Sequence, residues 1–169
     1  DRLWQLFAAA QVFGAGRRLT GNRIAIITNG GGPGVLAADR AMDHGLMMAE
    51  LSDATREKLE QALPEHWSHG NPVDVIGDAP PERFRAAVDA CIADDGVDGV
   101  LALFAPLANC DPTAFAAEVV TAAKKTRKPV LTCWMGATRV AEGHALFSEN
   151  GIPHFESPEV AMDAMSYLA

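Results

Sequence analysis

Gly30-Gly31-Gly32-Pro33-Gly34 is the stretch of this chain whose residue types and spacing could most plainly do chemistry. Glycines let the backbone turn sharply and come close to a partner, because no Cβ stands in the way. Apolar Ile24 to Ile27 precede the glycines across Thr28-Asn29, and Val35-Leu36-Ala37-Ala38 follow them. A buried strand, a tight loop and a helix starting near Val35 are therefore expected in that order. Pro33 suits a first helical turn, where its missing N–H costs nothing. The N–H groups just inside such a helix have no intrahelical acceptor and carry the positive end of its dipole. The backbone from Gly30 to Val35 is thus an expected anion site, for a phosphate, carboxylate or phosphoryl group. A tight turn that only saves space is the competing reading. On the anion reading, Gly32→Glu and Gly34→Val should both cut turnover without unfolding the protein.

Other chemistries fit less well. Gly32-Pro33-Gly34-Val35-Leu36-Ala37 matches G-x-G-x-x-A, with Glu50 as a ribose ligand, but Pro33 stiffens the loop and Glu50 comes early for the usual interval of ~20 residues. Thr28-Asn29 stands where a magnesium-dependent phosphoacceptor would carry acids. No Gly-Lys-Ser/Thr closes the glycine loop, and no G-x-S-x-G is present, which excludes a P-loop and a nucleophile elbow. Asp74, Asp78, Asp111 and Glu142 are the candidates for acid–base work. Asp74, after Asn71-Pro72-Val73, is the most interesting of them, against its reading as a turn carboxylate; Asp111 is expected to cap a helix. His44, His66, His69, His144 and His154 show no metal-ligand spacing, and no metal site is expected. Cys91, Cys110 and Cys133 are odd in number and widely spaced, which reads as reduced thiols of a cytoplasmic protein. Cys110 lies in a candidate loop.

The elements that must position these residues alternate. A helix over 1–14 with Leu3, Trp4, Phe7, Ala8 and Val12 on one apolar stripe leads, through Gly14-Ala15-Gly16 and Arg17-Arg18, into the first strand. Residues 1–20 are read as a helix and linker from a preceding domain, and residues 21–169 as one domain. Strands are expected at 24–27, 46–51, 71–75, 97–104, 129–134 and 152–155. Helices are expected between them, with Asp53, Asp78-Ala79-Pro80-Pro81, Asp111-Pro112 and Ser157-Pro158 as start signals and Lys124 to Lys128 closing one of them. Short apolar strands alternating with helices of ~10–15 residues predict a parallel sheet covered on both faces, a flavodoxin-like doubly wound α/β fold. Ligands of such sheets sit at the carboxyl ends of the strands, where Asn29–Gly34, Pro106–Cys110 and Trp134–Gly136 would gather, joined by the turn at Asn71–Asp74.

Of 169 residues, 49% are hydrophobic and 7% aromatic, enough for a full core built on closely packed alanine-rich helices. The formal charge of −8 argues against nucleic acid or a membrane surface as partner, since both call for positive charge. No run approaches the ~18 apolar residues of a membrane span, and no signal peptide opens the chain. It starts at Asp1 rather than at a methionine, so a piece of a longer multidomain polypeptide is expected.

Six stretches in order, Thr28–Asp39, Leu51–Pro64, Gly70–Asp78, Asp94–Phe104, Lys128–Gly136 and Asn150–Ala161, resemble the succinyl-CoA-ligase-like flavodoxin domain of NDP-forming acyl-CoA synthetases. The same domain recurs in bacterial protein lysine acetyltransferases that fuse a synthetase-like region to a GNAT domain. The resemblance runs from about Leu3 to Leu168. It implies an acid–thiol ligase that interconverts an acyl phosphate, CoA and NDP through a phosphohistidine on a mobile loop, with the helix after Gly32 as one of two helix ends that cradle it. By that likeness Asn29 corresponds to an asparagine that touches the carboxylate substrate. Pro106, Leu107 and Ala108 correspond to a glycine-containing loop closing the same site, although the glycines are missing here. Asn71 and Asp74 would be supporting residues. The resemblance also implies CoA, ATP/ADP and Mg as cofactors of the parent, none of them bound by this domain alone. The partners it implies are CoA-binding, phosphohistidine-bearing and ATP-grasp domains, with homo-oligomerisation open. The family's Ser-His-Thr-Gly-type motif is absent from these residues, as is a GNAT signature, so no complete catalytic set is expected here. The alternative is a non-catalytic regulatory or docking domain of a GNAT-fused acetyltransferase.

Overall fold

β1 (Arg23–Thr28) forms where Ile24-Ala25-Ile26-Ile27 lie between two glycine turns, and every residue after Arg23 is buried. Residues 3–169 are described in the computed structural model. Asp1 and Arg2 fall outside them, so the expected first helix is α1 (Leu3–Gly14). β4 (Gly99–Phe104) pairs with β1 from Ile24 opposite Gly99 to Thr28 opposite Leu103. β5 (Val130–Trp134) pairs with β4, and β6 (His154–Phe155) with β5. Two short strands share the other side of β1: β2 (Met47–Met48) beside Arg23 and Ile24, and β3 (Val73–Asp74) beside Ile27 and Thr28. All pairs are parallel, in the order β2-β1-β4-β5-β6 with β3 also on β1. This is the flavodoxin-like doubly wound sheet expected from the alternation of elements.

The second strand is shorter than the expected 46–51, and Asn71 gives the reason. Its Oδ1 accepts from the Ile26 N–H (3.0 Å), and its Nδ2 donates to the carbonyls of Ile24 (2.8 Å) and Ala49 (3.1 Å). One side-chain amide stands in for a strand peptide in the gap between β2 and β3, so the backbone groups of β1 stay satisfied.

The period-2 alternation of the strands feeds two apolar layers. Ile24, Ile26, Leu101, Leu103, Leu131 and Cys133 face α1, α2 (Gly31–Asp43) and α7 (Pro158–Ser166). Ala25, Ile27, Val100, Ala102, Phe104 and Trp134 face α3 (Asp53–Ala62), α4 (Pro81–Ile92), α5 (Pro112–Ala123) and α6 (Ala141–Glu149). In that second layer Trp134 packs on Phe104 and Phe147, with ring centroids 5.4 and 4.8 Å away, and its Nε1 donates to the Pro112 carbonyl (3.0 Å).

Several local expectations shift. Ser52, not Asp53, caps α3, accepting from the Thr55 N–H. α4 starts at Pro81, and Asp78 stays outside it, paired with Arg83 at 2.9 Å. α5 ends at Ala123 with Lys124 as its C-cap, as expected from the cation run, and Lys125 and Lys128 reach Asp89 (2.8 Å) and the Asp94 carbonyl (2.6 Å). A single 3-10 turn, Ala137–Val140, separates Gly136 from α6. The stripe expected on α1 splits: Ala8 and Val12 are buried, while Leu3 and Phe7 point outward. α1 is joined to this core, and the segment after it is tied down by Arg17, which donates to the carbonyls of Ala123 and Lys128, and by the Leu19 N–H, which donates to Leu168.

Candidate functional site

Parallel strands deliver their following loops to one edge of the sheet. From β1 the chain moves to β2 on one side and later returns to β4 on the other, so the switch point lies between β1 and β4. Asn29 sits at that point, 2% exposed. Its Nδ2 donates to the Ala105 carbonyl (3.0 Å) and its Oδ1 accepts from the Ala105 N–H (2.7 Å). The amide therefore clips the ends of β1 and β4 together. It presents no accessible group in this conformation and acts on the edge through Ala105.

α2 begins at Gly31, with extended Gly30 (φ −150°) as an N-cap that has no side-chain bond. Gly31, Gly32, Pro33 and Gly34 are thus the first helical turn, not a loop ahead of a helix at Val35. The difference changes the donor set. Pro33 has no N–H, the Gly34 N–H reaches the Gly30 carbonyl (3.4 Å), and Val35 lies inside the helix. The N–H groups of Gly31 and Gly32 remain as donors at the positive helix end. The Gly30 N–H donates to the Thr28 hydroxyl (3.0 Å). A Cβ on Gly30 would stand 2.9 Å from Cβ of Ala105, and one on Gly34 3.0 Å from Cγ2 of Thr28, while Gly32 faces open space. The glycines at 30 and 34 permit close packing, and the one at 32 keeps the helix end uncovered.

Asp74 reaches the same place. Its Oδ1 accepts from the Ile76 N–H (2.9 Å), and a Cβ on Gly31 would lie 3.1 Å from its Oδ2. The side chain is a turn carboxylate that also stands beside the positive end of α2. Pro106 and Ala108 are exposed and Leu107 is half-buried; Leu107 lies against the Gly77 turn and Pro106 against the Gly136 turn. Arg139, exposed, lies by the same loop, with Nη2 3.5 Å from the Leu107 carbonyl. Residue spacing offered no sign of this cation; it is delivered by the 3-10 turn after Gly136. All four expected segments therefore meet at one edge, although Asn71 serves the sheet rather than its rim.

The remaining chemical candidates are structural. Asp111 caps α5, accepting from the N–H groups of Thr113 (2.9 Å) and Ala114 (3.4 Å). Burial raises the Cys110 thiol, which disfavours the thiolate a nucleophile needs, and pushes Cys91 up to about 12. His144 and His154 face each other through Nδ1 at 2.7 Å beside a cleft of about 500 Å3, with Ser148 Oγ 2.9 Å from His154 Nε2. Among the described residues no group of three or more His, Cys, Asp or Glu side chains is gathered for a metal.

A parallel sheet wound in both directions from β1, with a glycine-rich helix start at its switch point, defines the class as a flavodoxin-like α/β domain. The Ligase-CoA domain family matches residues 24–165, and the chain belongs to that family. It is 38% identical over 151 residues to the ADP-forming acetate–CoA ligase I of Archaeoglobus fulgidus, covering 89% of this chain and 21% of that protein. It is also 38% identical over 143 residues to the α subunit of the ADP-forming acetate–CoA ligase II of Pyrococcus furiosus, covering 82% of this chain and 31% of that subunit. Among solved structures, a protein of Pyrococcus horikoshii OT3 superposes with a TM-score of 0.93 at 32% identity, over 99% of this chain and 39% of that one. The dinucleotide-forming acetyl-coenzyme A synthetase 1 of Ca. Korarchaeum cryptofilum, in complex with phosphate and ADP, superposes with the same TM-score at 27% identity, over 99% of this chain and 37% of that one. The chain thus spans about a fifth to a third of the curated relatives' length. These relatives are ligases by name, and the acetyltransferase alternative draws no support from them.

Proposed function

We propose that this chain is a domain of an ADP-forming acyl-CoA ligase, in which the N-terminus of α2 stabilises a phosphoryl group in transit. The observation that carries the reading is the uncovered helix end at Gly31–Gly32, held at the β1–β4 switch point by the Asn29–Ala105 clip. Two N–H donors and a helix dipole favour a dianion there, and fixed donors of this kind are worth ~3–4 kcal/mol each to a charged transition state. Arg139 would add a movable cation to the rim. Asn29 positions the loop, and Pro106, Leu107 and Ala108 wall the site, Leu107 against Gly77 and Pro106 against Gly136. CoA, ATP or ADP and Mg belong to the proposed parent, as do CoA-binding, phosphohistidine-bearing and ATP-grasp domains. The relatives' names support the reaction class, and the phosphate and ADP named for the Korarchaeum synthetase support the ligands.

The test is phosphohistidine formation on the full-length polypeptide. Radiolabel from ATP should appear on the protein and be displaced by acyl-CoA with phosphate, and Gly32→Glu should suppress it while leaving the fold intact. Absence of label in the unmodified protein would overturn the assignment.

A further inference from the structure

α1 has two apolar faces, and one of them is bare. Ala8 and Val12 are buried with α7, whereas Leu3, Leu6, Phe7 and Phe13 on the other side are 51% to 70% exposed. Together with Ala10 they recur at the three- and four-residue spacing of a single helix face. No charged residue occurs between Leu3 and Gly16, although the chain as a whole carries −8. A helix that is apolar all round is a core helix, covered on both sides. Phe7 also borders a groove of about 210 Å3 lined by Trp4, Gln11, Phe155 and Val160, so the bare face continues onto the domain beside it.

We propose that this outer face of α1 is the docking surface for a neighbouring domain of the same polypeptide, which supplies an uncharged apolar face of its own. Area and charge select that occupant. The four exposed side chains offer roughly 450 Å2 between them, taking usual side-chain areas. A stable complex of separate chains needs about 800 Å2 per partner. Two copies of this chain would also bring two −8 charges together, which opposes association. A covalently linked domain avoids both obstacles, because the tether supplies an effective concentration in the millimolar range. The relatives have such neighbours: the matching segment is 21% of the Archaeoglobus ligase and 31% of the Pyrococcus α subunit. α1 would then be shared between two cores, and it would transmit the position of the neighbour to α7 and, through α7, to α2. The inference rests on the proposed placement of this domain in a larger ligase, but its readout is accessibility rather than phosphorylation, so the two stand or fall separately.

The experiment is cysteine labelling of the full-length polypeptide with a maleimide, comparing Leu6→Cys and Phe13→Cys with Glu57→Cys, an exposed site on α3. Both α1 sites should react at least about tenfold more slowly than Glu57→Cys, and local opening should set the residual rate. A Leu6→Glu substitution should restore fast labelling at Phe13→Cys by breaking the contact. Equal rates at all three sites in the unbroken protein would overturn the proposal. Protection that disappears on dilution would overturn it too, because it would assign the face to a separate chain.

Discussion

Asn29 and the glycines that follow it divide the work at the switch point, and substitutions should separate their roles. Asn29→Leu strands the N–H and the carbonyl of Ala105 in a buried place, and each unsatisfied group costs ~1–3 kcal/mol. A loss of about 3 kcal/mol in urea unfolding is expected; an unchanged midpoint would show that the clip is dispensable. Sequence reading treats Gly32→Glu and Gly34→Val alike, whereas the structure does not. A side chain at 32 enters open space, so Gly32→Glu should keep its melting temperature, but its carboxylate competes with the ligand for the helix-end donors. Turnover of the full-length protein should fall about a hundredfold, the scale of losing one oxyanion donor. Valine at 34 meets Thr28 at 3.0 Å and Pro72 at 3.5 Å, so it should cost ~1–3 kcal/mol of stability as well. Asp74→Asn removes a negative charge from beside the helix end. Tighter binding of inorganic phosphate by the variant, measured calorimetrically, is the expected outcome, and weaker binding would mean that the carboxylate helps to hold the ligand. The glycine pattern was legible because glycine spacing is local. The jobs of Asn29 and Asn71 were not, because their partners lie 76 and up to 47 residues away.

At the scale of elements, the site depends on how α2 is held. Arg40 Nε donates to Asp163 Oδ1 on α7 at 2.6 Å, and His44 Nε2 meets the same oxygen at 2.7 Å. Burial alone would raise the Asp163 carboxyl, but the hydrogen bonds from Arg40 and His44 outweigh it and hold the group below its ordinary range. Asp163 is buried, but Arg40 and His44 keep about a third of their side chains in solvent, so Asp163→Ala leaves solvated partners and should cost only about 1 kcal/mol, read as a fall in the urea midpoint. It should also loosen α2 and weaken phosphate binding without touching the site itself. The existence and order of the main strands were readable from runs of apolar residues between glycine and proline punctuation. The lengths of β2 and β3 were not, because a side chain replaces their ladder. Val35 and Leu36 are exposed because α2 buries the face of Gly34, Ala37, Ala38 and Ala41, a small-residue face that apolar character alone does not single out.

For the whole molecule, acid should act at the edge opposite the site. Asp98 takes a fork from Arg23 (2.8 Å from Nε and from Nη2) together with the Arg23 N–H, and these bonds hold its carboxyl at about 2 against the cost of burial. Asp94 is disfavoured by burial, yet the bonds from Thr55, Ser52 and Gly96 bring it to about 2 as well. A carboxyl whose folded pKa lies below its unfolded value adds stability that is complete above the unfolded value, near 4, and is lost as the pH falls toward the folded one. His154 acts earlier: burial, then the charge of His144, lowers its pKa, so the unfolded chain takes up protons first and stability declines as the pH drops below about 6.5. The exposed His69–Glu60 pair has the opposite sign, since His69 is raised by Glu60, but solvent screens it. The expected urea stability is therefore level above pH 7, slopes gently down to about pH 5 and falls steeply between about 4 and 2. In Asp98→Asn the steep limb should shrink while the gentle one stays, and in His154→Gln the reverse should hold. Asp98 staples elements away from the carboxyl edge, so Asp98→Asn should bind phosphate normally at pH 7, and loss of binding in that variant would mean that the two edges of the sheet are coupled.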